Sequence, residues 1–123
     1  MEAFTIKHDD ELERAYGKWV LVRRSLGVNS FGLNAVELPP GESIPEHDET
    51  GRDQEEVFIV MSGSPSLIVD EREIEVPAGT FARLDPHLSR TVVNNTDEPA
   101  AVLIMSAPRT GAVSPRRSGT GRS

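Results

Sequence analysis

At 123 residues and 13.4 kDa the chain has the length of one domain, which excludes two catalytic domains and leaves a single core with short extensions. Six aromatics in all put that core on Val, Ile and Leu, and the absence of Cys excludes disulfides, thiolate chemistry and Cys-type zinc sites. The net charge of −7 hides an asymmetry: residues 1–106 hold nine Lys and Arg against twenty Asp and Glu, so that part carries −11, which repels phosphate backbones and excludes nucleic-acid binding as its main task.

The N-terminal MEAFTIKHDDELER is acidic and has no apolar h-region, so a secretory signal is not expected and the cytoplasm is the expected location. No run of eighteen apolar residues suggests a membrane span. Acidic residues lead and Arg14 follows in the segment 9–15, which predicts one helix of barely two turns. Gly, Pro, Asn or Asp then recur every eight to twelve residues between short apolar runs, the spacing of an all-β sandwich or barrel. Strands are predicted at 19–23, 31–38, 43–46, 56–61, 66–69, 73–76, 81–84, 89–94 and 100–107. EVFIVM at 56–61 and AAVLIM at 100–105 are nearly continuous apolar runs, so both of their faces need cover. A second sheet, the N-terminal segment or another subunit would supply the outer cover, and a homodimer is the favoured expectation. The final stretch, 107–123, is rich in Pro, Gly, Ser and Arg (Arg109, Arg116, Arg117, Arg122) and reads as a flexible basic tail.

The chemistry concentrates in PPGESIPEHDETGRDQEEVFIVMSG, residues 39–63. His47 and Glu49 are two apart and share a face in an extended strand. If the next strand returns antiparallel after the 50–54 loop, Glu56 meets them. One imidazole and two carboxylates inside a barrel suit a divalent ion such as iron, manganese or zinc.

This segment resembles the first motif of the cupin superfamily, with Gly41, His47, Glu56 and Gly63 in the matching places. Glu49 stands where a second metal-ligating His is usual, and the loop before Glu56 is longer than the simplest pattern. The stretch GTFARLDPHLSRTVVN, 79–94, is similar to the second motif: Gly79 and Asn94 fall in register, Pro86 sits one place late, His87 takes a Gly position and Arg90 takes the place of the last metal-ligating His. The resemblance covers residues 31–106, after a lead-in at 1–30, and implies an all-β double-stranded β-helix, the cupin jelly-roll barrel. It reduces the family's four ligands to His47 and Glu56, with Glu49 able to substitute and Arg90 unable, because a guanidinium has no acceptor. Arg90 can instead pair with Glu49 or Glu56, so a metal-free or weakly metallated pocket is favoured.

Four further residues are weighed for the pocket. Arg83 is a candidate for the pocket mouth, with a surface ion pair to Asp85 as the default. His87 restores a second imidazole if its loop bends inward, and is otherwise a surface residue at a turn. Phe58 is core by default and a substrate contact if the pocket reaches it; Met61 is core. The expected function is binding of a small polar or anionic metabolite through Arg90, His47 and Glu56, with catalysis unassigned. The alternative is a metal-dependent dioxygenase or isomerase with His47, Glu49 and Glu56 as ligands. A metal-free enzyme with His47 as general base and Arg90 holding an oxyanion, as in epimerases of the fold, also fits the resemblance.

Overall fold

The punctuated apolar runs become nine strands in two antiparallel sheets in the structure, a computed structural model that describes residues 3–109. In chain order the elements are β1 (Arg14–Ala15), β2 (Trp19–Val20), α1 (Val22–Leu26), β3 (Gly32–Leu38), β4 (Gln54–Ser62), β5 (Ser66–Val69), β6 (Arg72–Glu75), β7 (Phe81–Leu84), β8 (Arg90–Val93) and β9 (Ala100–Pro108). One sheet has the order β1-β2-β3-β9-β4-β7 and the other β6-β5-β8. The segment before β4 extends the smaller sheet along β8, through bridges Ser43 to Val93 and His47 to Arg90. The expected all-β jelly roll is present, and among the described residues no helix is long and apolar enough to cross a membrane.

Alternation sorts the two long apolar strands. Glu56, Phe58 and Val60 of β4 and Val102 and Ile104 of β9 point inward with Val36, Leu38, Leu67 and Val92, all buried in one cluster apart from the carboxylate. Their neighbours face out. Register places Val20, Ala35, Leu103, Ile59 and Phe81 in one apolar row across the outer surface of the larger sheet. Val20 is buried, Leu103 and Ile59 are half-buried, and Phe81 and the bulged Met61 are exposed at 70% and 59%. Met61 therefore leaves the core, because the register shifts between Val60 and Ser62.

The segment 9–15 departs from the expected helix: it forms one 3-10 turn, Asp9–Glu11, and then β1. So short a helix cannot repay its nucleation, whereas Arg14 gains both Asp9 and Glu37 by turning back. The strand expected at 19–23 stops at Val20, and α1 follows, closed by Gly27 at φ 78°. Pro45 has no N–H, so 43–46 makes a single bridge, at Ser43, rather than a strand. At the other end of the chain β9 continues through Pro108, and Arg109 pairs with Asp53 (Nη2–Oδ1 2.8 Å), so these residues belong to the body. Arg116, Arg117 and Arg122 lie outside the described residues.

Candidate functional site

Asn94 and Gly41, matched from the two motifs, meet at the end of the barrel away from His47. The Gly41 N–H donates to the Asn94 carbonyl (2.7 Å), and the buried Asn94 amide donates to the carbonyls of Leu38 (2.8 Å) and Glu98 (2.7 Å). Their role is to close the β8–β9 turn with every polar atom partnered.

At the opposite end the expected convergence of His47, Glu49 and Glu56 occurs. His47 Nε2 lies 3.3 Å from Glu49 Oε2 and 3.8 Å from Glu56 Oε1. One potential ligand atom from each residue falls within 4.8 Å of the others. His47 is positioned by the paired backbone bonds of its bridge to Arg90 (3.0 and 2.8 Å). Its Nδ1 lies 3.1 Å from the Pro45 carbonyl. A carbonyl only accepts, so Nδ1 carries the proton there and Nε2 is left to face the carboxylates. That is the arrangement needed either to ligate an ion or to move a proton.

Arg90 sits behind this group and not in it. It is fully buried, with Nη1 donating to Glu56 Oε1 (2.7 Å), Nε to the Leu88 carbonyl (2.8 Å) and Nη2 to the Asp85 carbonyl (2.5 Å). The carboxylate pairing expected from sequence is formed, through one oxygen. Contact with a ligand is not available, because Arg90 does not line the cavity; its expected roles of holding an oxyanion and binding substrate are corrected on that ground. Burial pushes the Glu56 carboxyl above the ordinary range, and Arg90 opposes that push.

A cavity of about 350 Å³ opens over His47, Glu49 and Glu56, walled also by Trp19, Asn34, Arg52, Gln54, Ile104 and Ser106. Phe58, Arg83 and His87 are not part of it. Phe58 is 2% exposed in the apolar core, and His87 is exposed on the turn before β8. Arg83 points outward from β7 to Asp85, the surface ion pair that its position suggested by default, and also to Glu55 (3.3 Å), which was not expected. The wall residues that sequence reading passed over had a signal. Gln54 shares parity with Glu56 and Phe58, Asn34 with Val36, and Ser106 with Ile104, so each is a polar residue at an inward position. Gly32, opposite Ser106, lets the wall close up, since a Cβ there would collide with the Ser106 hydroxyl.

Comparison with known proteins agrees with this geometry. Residues 34–106 match the family described as Cupin domain. A cupin protein from Bacteroides fragilis superposes with a TM-score of 0.74 at 21% identity, over 100% of both chains. A sugar phosphate isomerase of the cupin superfamily from Silicibacter pomeroyi gives 0.65 at 25% identity, over 74% of this chain and 59% of that one. A protein described as a predicted oxalate decarboxylase, from Thermotoga maritima, gives 0.70 at 15% identity, over 85% of this chain and 100% of that one. No curated protein matches the chain.

Proposed function

Since the chain belongs to the Cupin domain family, we propose that its open cavity binds a small polar or anionic metabolite, with His47 Nε2 as the group that gives or takes a proton. The observation that carries this reading is the buried Arg90–Glu56 pair. It puts a guanidinium, which cannot ligate, at the sequence position of the family's last metal-ligating His, and it leaves His47 and Glu49 toward the cavity. Glu49, 3.3 Å from Nε2, stabilises the imidazolium when His47 is protonated. The sugar phosphate isomerase it resembles acts on a substrate of the proposed kind. We further propose a cytoplasmic homodimer, with the apolar row of Leu103, Ile59 and Phe81 facing a second copy.

A divalent ion is the second reading, favoured by the closeness of His47, Glu49 and Glu56. These three fit an ion only in part, because Glu56 already accepts from Arg90. When bound, such an ion would polarise a carbonyl or activate an oxygen ligand. Elemental analysis of protein purified without chelator and challenged with iron(II), manganese(II) and zinc separates the two. The proposed reading expects well under one equivalent bound, with thermal-shift hits from a polar metabolite panel that vanish in His47→Ala. Near-stoichiometric metal that is lost in His47→Ala would overturn it in favour of the second.

A further inference from the structure

We infer that the mouth of this cavity is an oxyanion seat formed by Arg52 and Arg23, so that the ligand carries a phosphate or carboxylate at the end away from His47. The inference deepens the ligand-binding reading above and rests on it. A groove of about 430 Å³ adjoins the cavity and shares Asn34, Arg52, Gln54 and Ser106 with it, adding Arg23 and Asn29. The two spaces therefore adjoin at Arg52, Gln54, Asn34 and Ser106.

Charge gives the groove its meaning. The chain holds twenty Asp and Glu, yet among the described residues no carboxylate lines this groove, while two guanidinium groups do. Of the ten Lys and Arg among the described residues, six lie in ion pairs and Arg52 and Arg23 do not. Two cations with no ion pair among the described residues, beside side-chain amides and against a body of −11, are what anion capture requires, because the long-range field alone would repel the ligand. The planar fork of an arginine matches two oxygens of a carboxylate or phosphate, and the Gln54 and Asn34 amides add neutral donors.

The seat is held in place by the fold. Arg52 lies in the loop before β4, where its N–H donates to the Glu49 carbonyl (3.2 Å), and Arg109 clamps Asp53 next to it through Nε (3.1 Å) and Nη2 (2.8 Å). Arg23 stands on α1, with its carbonyl accepting from Gly27 (2.9 Å) and Val28 (3.0 Å). A ligand with an anionic head at Arg52 and Arg23 therefore extends its polar body toward His47, Glu49 and Glu56.

The test is a titration of the full chain with inorganic phosphate, and separately with acetate, followed by NMR at the Arg Nε–H and Gln and Asn side-chain amides, with chloride at matched ionic strength as control. Saturable shifts at Arg52, Arg23 and Gln54 are expected. Arg52→Ala and Arg23→Ala should each weaken phosphate by about tenfold, the scale of one charge-assisted contact, and Arg52→Lys by less. Both arginines are exposed and without ion pairs among the described residues, so these variants should keep the wild-type circular dichroism. Saturation by phosphate alone would specify a phosphorylated ligand, and saturation by both would admit carboxylates. Shifts that follow chloride, or an affinity unchanged in the double variant, would overturn the seat. Phosphate affinity should survive in His47→Ala, so failure at the reacting centre and failure of the seat are read separately.

Discussion

Along β4 the inward residues run from Gln54 and Glu56 to Phe58 and Val60, and along β9 from Ser106 and Ile104 to Val102 and Ala100. The same two paired strands thus build a wet end and a dry end. Around Phe58, Val60, Leu67, Val76, Val92 and Val102 the interior leaves a void of only about 10 Å³ whose apolar lining offers a water no hydrogen-bond partner. Two residues further along, the lining is His47, Glu49, Glu56 and Gln54, and the space is about 350 Å³. One end is spent on stability and the other on a site, and the buried Arg90–Glu56 pair is the seam between them.

Breaking the seam should have the largest effect. Arg90→Met leaves Glu56 buried without its cation and should cost about 3–5 kcal/mol at neutral pH in urea unfolding. The sign with pH follows from the raised Glu56 carboxyl. A raised acid contributes stability below its unfolded value and loses it as pH rises through the folded one. Without Arg90 to oppose it, that folded value rises further. The variant should therefore lose least near pH 4 and most near pH 8, and a loss independent of pH would show that Glu56 is not the stranded group.

The contrast between the ends is tested directly by Phe58→Ala and Ser106→Ala. The first opens a cavity at the dry end and should cost about 3–5 kcal/mol while leaving phosphate affinity unchanged. The second removes a hydroxyl from an open wall and should cost under about 0.5 kcal/mol. Comparable losses would mean that the two ends are packed alike.

Gly63 sharpens the dry end. It sits at φ 76° with the Pro99 carbonyl and Ala100 inside contact distance of any Cβ, so Gly63→Ala should cost about 2–3 kcal/mol. The smallest effect belongs to the β5–β6 hairpin, where Asp70 and Glu71 both hold left-handed backbone at φ 46° and 73°. Glu71→Gly should raise stability by about 0.5 kcal/mol in thermal unfolding, the relief of a side chain at positive φ less the entropy of glycine.

Eight of the nine strands in the structure overlap runs read from apolar patterning and turn residues, β1 being the exception, because alternation and punctuation are local properties. α1 was missed although Arg23, Arg24 and Gly27 are its end signals, since Trp19 and Val20 read as strand and nothing local marks where that strand stops. The group His47, Glu49 and Glu56 was legible because two share parity and the third follows one short loop later, but the expected antiparallel return does not form: His47 bridges to β8 of the smaller sheet and Glu56 lies on β4 of the larger one, so the three meet across the barrel.

The sequence alone carried the all-β class, the resemblance to the family that matches over 34–106, the three candidate side chains and the capacity of Arg90 to pair with either carboxylate. Only the tertiary structure decided that the carboxylate is Glu56, that Arg90 faces protein instead of ligand, that Phe58 and His87 stand apart from the cavity, and that Arg52 and Arg23 share its mouth. The reason is distance along the chain. Arg23, Arg52 and Ser106 come from three separate stretches, and a groove lined by all three exists only once β3, β4 and β9 lie side by side.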